Sequence, residues 1–329
     1  METVLSGIQP TGKLHLGNYI GAVKNWVKIQ EEYRCFYMIA DLHSLTTHSG
    51  KAEEINDNVM DIYMDLLACG IDVKKSVLFI QSAVPAHTQL HLILSMITPL
   101  GWLERNPTFK EKKTELTNTD LNNYGFLGYP VLQAADILLY KASKVPVGMD
   151  QIPHLEITRE ITRKFNSIFK DYFPEPTPLL TEVPKIAGID GRKMSKSYDN
   201  AIYLSDTPEV LEKKLKKFIT DPAKVYKDDP GDPEKCTVYP FYKIFINEAK
   251  KKETAKGCKD GTRPCVQCKK EIADTINHEL IGYRDKKEKY KKNMDFINKT
   301  IIDNNKKANE VAIKHIKEIY RLTGMDYEW

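Results

Sequence analysis

The stretch that most constrains this chain lies at its start: Ser6-Gly7-Ile8-Gln9-Pro10-Thr11-Gly12-Lys13-Leu14-His15-Leu16-Gly17-Asn18-Tyr19-Ile20-Gly21. Thr3-Val4-Leu5 before it is a short β-favouring run, and Tyr19, Val23, Trp26 and Val27 after it recur at helical spacing. This order predicts strand, Gly/Pro turn, helix. A first strand that feeds into a helix N-terminus is a site for phosphate, because orphan N–H groups and the positive end of the helix dipole face whatever sits there. Gly17 leaves the backbone open to a flat ring. His15 and Asn18, three apart, share a face of the first turn and can donate hydrogen bonds to phosphate oxygens or a ribose. Taken alone, these residues also allow an ordinary helix start with a surface histidine.

Beyond this start, strand and helix patterns alternate. Cys35-Phe-Tyr-Met-Ile-Ala-Asp41 reads as a continuous apolar strand, Lys51 to Cys69 as an amphipathic helix closed by Gly70, and Ser76 to Gln81 as another buried strand. Such alternation predicts βαβ units in a parallel sheet, with ligands bound beyond the C-terminal strand ends, where Asp41, His43 and Gln81 fall. Residues 87–182 read as a helical insertion before the sheet resumes around Lys185-Ile186, and Asp206-Thr207-Pro208-Glu209 as a helix start. The expected fold is therefore a doubly wound, Rossmann-like α/β catalytic domain over 1–204, followed by an all-helical domain over 205–329.

The length of 329 residues, 41% of them hydrophobic, suits two domains with real cores. No apolar run reaches membrane-spanning length and Met1-Glu2-Thr3 opens no signal peptide, so a cytoplasmic protein without a membrane partner is expected. The net charge of +4 divides into +7 from Lys243 to Trp329 and −3 before it. A basic C-terminal part fits either a polyanionic partner or a solvated lysine-rich surface.

Three further stretches carry chemistry. In Gly191-Arg192-Lys193-Met194-Ser195-Lys196-Ser197 two lysines flank Met-Ser, as a clamp for the charge of a leaving pyrophosphate would. Tyr129-Pro130-Val131-Leu132-Gln133-Ala134-Ala135-Asp136 predicts a helix opening after proline, with Tyr129, Gln133 and Asp136 on one face. A carboxylate on a helix otherwise built for burial needs a partner, either a ligand N–H or a structural ion pair. Val145-Pro146-Val147-Gly148-Met149-Asp150-Gln151 then predicts a strand followed by a tight glycine turn that aims Asp150 and Gln151 at the crevice.

Of the six cysteines, Cys35 and Cys69 read as small buried hydrophobes. Cys236, Cys258, Cys265 and Cys268 differ: three lie in a polar, turn-rich segment with little apolar surface and no evident way to hold one shape without a crosslink or a metal. Disulfides are not expected in the cytoplasm, and only one close Cys pair is present where structural zinc takes two.

Together, SGIQPTGKLHLGNYIGA, FIQS-VPAH, LERNPTFKEK, YPVLQAADILLY, VPVGMDQ-PH and GRKMSKS resemble the tryptophanyl-tRNA synthetases of the bacterial kind, within the class I aminoacyl-tRNA synthetases. Tyrosyl-tRNA synthetase is the near relative, and a nucleotide-binding RNA regulator without activity is the alternative of another class. The resemblance implies activation of L-tryptophan by ATP with Mg²⁺, transfer to tRNA(Trp), and a homodimer formed through the insertion helices. It implies that Gln9, Pro10, Thr11, His15, Gly17, Asn18, Gly148, Met149, Asp150, Ile186, Met194 and Ser197 hold ATP. Lys193, Ser195, Lys196 and Lys112 would act on the departing pyrophosphate. Asp136 would read the indole N–H, with Tyr129, Gln133, Gln151, His43, Ser6 and Gly7 completing the tryptophan pocket. Many bacterial members carry an apolar residue in place of Gln133. The spacing C-x₂₁-C-x₆-C-x₂-C resembles the [4Fe–4S] pattern of a subset of this family, with Zn²⁺ or unliganded thiols as the alternatives.

Overall fold

Thr3–Ile8 forms β1, the middle strand of a five-stranded parallel sheet of order β3-β2-β1-β4-β5. Its neighbour β2 is Arg34–Ile39, paired in register from Thr3↔Arg34 to Ile8↔Ile39, and β3 is Ser76–Ile80. On the other side stand β4, Lys144–Val147, and β5, Thr177–Leu180. Val4, Phe36, Tyr37, Ile39, Leu78 and Phe79 are buried, as expected of strands covered on both faces. The order reverses between β1 and β4, so the crevice beyond their C-terminal ends is the switch point where a ligand binds in such sheets. The computed structural model describes residues 1–106, 123–148, 151–180 and 186–327.

The expected doubly wound sheet is present, but three local readings change. The sheet resumes inside the 87–182 stretch, through β4 and β5; of the expected Lys185-Ile186, Lys185 lies outside the described residues. β4 is the strand expected before Gly148, while Pro178 within the four residues of β5 weakens the strand pattern there. Ile186 instead accepts a hydrogen bond from Met194 N within a loop. The helix bearing Asp136 does not open at Pro130 but runs Tyr124–Leu139 with Pro130 inside it. Asn123 caps that helix by accepting from Phe126 N at 2.9 Å. The helix before Gly70 spans Ile55–Cys69, after a 3-10 turn at Ser49–Glu54.

The chain divides into two compact units, and the division does not follow the expected boundary near residue 205. The first comprises Met1–Thr11, Asn25–Glu182 and Lys292–Trp329; the second comprises Gly12–Lys24 and Val183–Lys291. The C-terminal helix Met294–Leu322 thus belongs to the first unit. Its Ala308, Ala312, Ile316 and Ile319 recur on one face and join the core of the sheet domain. In the second unit, helix Pro208–Lys216 starts as expected, with Thr207 as cap, and buries Leu211 and Leu215. It packs on the long helix Cys265–Lys291.

The C-terminal helix also closes a sheet edge. Asn305 Oδ1 accepts a hydrogen bond from Ile80 N at 2.9 Å, on edge strand β3. Asn305→Leu leaves that N–H unpaired and is expected to cost about 1–3 kcal/mol. Equilibrium urea unfolding reads the loss, and an unchanged midpoint would show that Ile80 finds another acceptor.

Candidate active site

A cavity of about 210 Å³ opens at the switch point. Ser6, Gly7 and Gln9 line it from β1 and its end, Val145 to Val147 from β4, and Gln151 and His154 from the following helix start. Tyr129, Gln133 and Asp136 line it from helix Tyr124–Leu139, their spacing placing all three on one face, and His43 completes it from helix Asp41–His48. All seven residues expected to hold an amino acid therefore come together around one space.

At one end of this cavity Asp136 is 1% exposed and has three partners from different elements. His43 Nε2 lies 2.8 Å from Oδ2, His87 Nδ1 2.6 Å from Oδ1, and Gln81 Nε2 2.8 Å and 3.0 Å from the two oxygens. Burial alone would raise this carboxyl, but the hydrogen bonds from His43 and His87 outweigh it and bring it down to about 2. Asp136 is ionised at neutral pH and aimed at the cavity. His87 Nε2 lies 3.1 Å from the Tyr140 hydroxyl, whose proton is held by burial and by the charge of Asp136. His87 stands in the VPAH stretch, yet its position in sequence gives no sign of this role. Neither do His154 and Asn106, which are buried beside Tyr129.

The nucleotide motifs meet within the second unit. His15 and Asn18 face each other as a reciprocal cap: Asn18 N donates to His15 Nδ1 at 3.1 Å and His15 N to Asn18 Oδ1 at 3.3 Å. The cap uses Nδ1 and Oδ1 as acceptors and leaves His15 Nε2 and the Asn18 side-chain amide nitrogen as donors. With Nδ1 accepting, His15 keeps one N–H, on Nε2. A Cβ on Gly17 would stand 2.9 Å from His15 Nδ1, so the room at Gly17 admits the histidine ring. A π-helix, Tyr19–Val23, follows this turn. Tyr19 Oη and Lys24 Nζ both donate to Glu279 of the Cys265–Lys291 helix, at 3.3 Å and 3.0 Å.

Asn200, 2% exposed, holds the lysine loop. Its Oδ1 accepts from Ser195 N at 2.8 Å, and its Nδ2 donates to Asp190 Oδ1 at 2.7 Å and Lys193 O at 3.2 Å. Lys196 Nζ donates to Gly12 O at 2.7 Å, which ties this loop to the Gly/Pro turn. Ile186 and Met194 are buried and bonded to each other through Met194 N and Ile186 O. Burial first, then the charges of Lys196 and Lys193, bring His15 down to about 4, so its ring is neutral at pH 7. Of the other expected nucleotide residues, Thr11 N turns back to Gln9 O at 2.9 Å around Pro10, and Gly148 O accepts from Gln151 N at 3.0 Å. Lys112, Met149, Asp150 and the side chain of Ser197 lie outside the described residues.

The four cysteines of interest are free and half-buried in the second unit. Cys258 lies in helix Glu248–Lys259, while Cys265 and Cys268 open the next helix. The segment between them holds a shape through its own side chains, contrary to the sequence expectation. Gly261 takes φ +73, where a Cβ would stand 2.3 Å from Asp228 O. Arg263, 8% exposed, donates Nε to Cys268 Sγ at 3.1 Å and pairs through Nη2 with Glu271 and the Tyr242 hydroxyl. Burial pushes Cys236 up, and the charges of Cys265 and Cys268 add to it; Cys258 is raised by burial first and by the other three thiols too. Sulfur donors suit a soft metal in kind. Among the described residues, no group of three or more His, Cys, Asp or Glu side chains is arranged to hold a metal ion.

A doubly wound sheet with a cavity at its switch point, joined to a glycine-rich first turn and a Lys-Met-Ser-Lys loop, is the plan of a class I aminoacyl-tRNA synthetase. Over residues 2–280 the chain matches the family model for tRNA synthetases class I (W and Y), and it belongs to that family. It is similar to a protein of Thermotoga maritima named tryptophan–tRNA ligase, with 47% identity over 324 residues, covering 98% of this chain and 99% of that one. A tryptophan–tRNA ligase of Fusobacterium nucleatum is 41% identical over 327 residues, covering 99% and 98%. The crystal structure of tryptophanyl-tRNA synthetase from Campylobacter jejuni complexed with ADP and tryptophane has the same fold, with a TM-score of 0.87 and 35% identity over 98% of this chain and 99% of that one.

The buried cap at His15 carries a pH signature. Its folded value of about 4 lies below the ordinary 6.5, so between these values the unfolded chain binds a proton that the folded chain refuses. Stability therefore rises with pH across that window and is lost as pH falls through it. His15→Asn, whose Oδ1 can take the place of Nδ1, is expected to remove on the order of 1–2 kcal/mol of the stability difference between about pH 5 and pH 7. Urea unfolding at both pH values measures it, and an unaltered pH slope would place the titrating group elsewhere.

Proposed function

We propose that this chain is a tryptophan–tRNA ligase. It joins the carboxylate of L-tryptophan to the α-phosphorus of ATP, releasing pyrophosphate, and passes the acyl group from the adenylate to a ribose hydroxyl of tRNA(Trp), releasing AMP. The observation that carries this reading is Asp136, an ionised carboxylate buried at the end of the switch-point cavity. An acceptor held this way by His43, His87 and Gln81 is preorganised for an indole N–H, and it discriminates against side chains without a donor, because they leave a buried charge unpaired. Tyr129, Gln133 and Gln151 bind the amino-acid end, with Ser6, Gly7 and His43 shaping the wall. The tryptophan–tRNA ligase relatives favour this substrate over tyrosine.

No side chain needs to form a covalent intermediate, and catalysis rests on positioning and on stabilisation of phosphoryl charge. Gln9, Pro10, Thr11, His15, Gly17 and Asn18 hold the nucleotide, with the neutral His15 offering its Nε2–H as a donor. Gly148 and Asp150 hold the ribose, Met149 adds to the ATP site, and Ile186 and Met194 seat the base. Lys193, Ser195, Lys196 and Ser197 grip the departing pyrophosphate together with Lys112, and Mg²⁺ enters with ATP. The helices of the second unit, from Pro208–Lys216 to Cys265–Lys291, receive the anticodon end of the tRNA on their basic surface. Leu92, Met96, Leu100 and Tyr124 expose unusual apolar area in the first unit, which fits a homodimer through the insertion helices. Among the described residues no helix is long and apolar enough to cross a membrane. Work on tRNA assigns the protein to the cytoplasm.

ATP–pyrophosphate exchange with each of the twenty amino acids tests this reading, and exchange with tyrosine in place of tryptophan would falsify it. Asp136→Asn exchanges one acceptor oxygen for a donor that meets His43 or His87. It is expected to cost on the order of 2–3 kcal/mol in kcat/KM for tryptophan, with the KM for ATP nearly unchanged.

Cys236, Cys258, Cys265 and Cys268 complete the proposal as ligands of a metal centre, a [4Fe–4S] cluster in the first instance and Zn²⁺ in the second. When bound, such a centre supplies a crosslink that fixes the basic surface around Lys259, Lys269 and Lys270. Protein purified without oxygen is expected to be brown with about four irons per chain, and Cys265→Ser to lose the colour and weaken tRNA charging while exchange survives. A colourless preparation with about one zinc per chain decides for zinc. Neither metal returns the cysteines to plain thiols.

A further inference from the structure

The amino-acid cavity has a second buried polar group that the reaction as proposed does not use. His154 is 2% exposed, in the first turn of helix Ile152–Ile168, and its ring lines the cavity beside Tyr129. Tyr129 Oη lies 2.9 Å from His154 Nε2, and the two rings meet edge to face with centroids 5.2 Å apart. Asn106 Nδ2 lies 2.9 Å from Nδ1 of the same ring, which is itself 3.4 Å from Tyr129 Oη. Asn106 is 3% exposed and follows helix Leu100–Glu104, its own N–H bonded to Leu103 O. Three elements thus deliver Asn106, His154 and Tyr129 into one row that ends at the cavity wall.

The row has a direction. The Asn106 amide donates to Nδ1, so Nδ1 accepts and Nε2 carries the hydrogen of the neutral ring. Nε2–H then donates to the Tyr129 oxygen and sets the rotation of the phenolic O–H. An apolar residue at 154 would fill the same volume without this control. We propose that His154, anchored by Asn106, is a positioning residue for substrate: it fixes the Tyr129 hydroxyl at the wall of the cavity and so sets the affinity for the amino acid. This rests on the cavity being the amino-acid site, as proposed above.

The test is steady-state ATP–pyrophosphate exchange on the full chain, with thermal melting by circular dichroism on every variant. His154→Leu and Tyr129→Phe are each expected to raise the KM for tryptophan about tenfold, while kcat and the KM for ATP stay within about twofold. Because both changes break one interaction, the double variant should be no more than about threefold worse than the poorer single one. His154→Gln, which can offer an N–H near the place of Nε2, should recover most of the loss. Multiplied losses in the double variant, or a kcat that falls with an unchanged KM, overturn the proposal. If His154→Leu fails to fold, Asn106→Leu carries the test: it frees the ring while leaving His154 in place, and an unchanged KM for tryptophan overturns the anchoring. If the unmodified protein activates another amino acid, the functional reading falls, and the same variants measured with that amino acid decide this one.

Discussion

One buried negative charge sets the terms for the first unit. Asp136 sits on a helix whose neighbouring residues Ala135, Ile137 and Leu138 are apolar and buried, so its carboxylate is stable only with donors brought to it. These come from beyond three different stretches: His43 after β2, Gln81 after β3, and His87 in the helix that follows. Each donor is itself placed by the sheet, because β2 and β3 end where the helix passes. The parallel order of the strands is therefore what lets a single carboxylate stay ionised at the end of the cavity. Removing one donor leaves the rest of a charged network undersatisfied.

The second unit solves a different problem, that of holding two basic side chains near a glycine turn without locking them. Asn200 holds the backbone of the lysine loop itself, through Ser195 N and Lys193 O. Lys196 reaches the Gly12 carbonyl, a neutral acceptor that a phosphate oxygen outcompetes. Burial first, and the same two positive charges after it, keep His15 neutral. Neutrality in turn preserves its cap on Asn18, which needs Nδ1 as an acceptor. Charge in the loop and geometry in the turn are in this way one arrangement.

What could be read from the sequence follows from how local each feature is. The strand, turn and helix around Gly12, the face shared by Tyr129, Gln133 and Asp136, and the Lys-Met-Ser-Lys loop all rest on spacing within a few residues, and the structure keeps them. The strand β5 was not legible, because Thr177–Leu180 is four residues long and contains proline. The π-helix at Tyr19–Val23 has no local mark, since tertiary anchoring of Tyr19 and Lys24 on Glu279 supports it across more than 250 residues of sequence. The return of Met294–Leu322 to the first unit was hidden by its lysine-rich outer face. Only its alanines at 308 and 312, which let the helix approach the core, distinguish it from the helices before it. Asn106, His87 and His154 act through hydrogen bonds to residues 25 or more positions away, and Asn200 through bonds inside an irregular loop; no periodicity encodes either.

The cavity also explains why so many polar groups are retained in a place that apolar side chains would fill with less cost. His43, His87, Gln81, Asp136, His154 and Asn106 are each 6% exposed or less, and every one has a polar partner. A wall of leucine would gain burial but could separate amino acids only by volume, which is worth about 1–3 kcal/mol for a methylene and little against an isostere. Fixed donors and acceptors reject the wrong ligand by leaving one of their own unpaired in a low-dielectric site, where that error is largest. The same rule demands that the acceptors not move to satisfy themselves when the ligand is wrong. A carboxylate clamped by three donors and a phenol held by an anchored imidazole meet that demand, because rotating either one breaks bonds already made. Specificity here is thus a property of the supporting residues as much as of the groups that face the ligand.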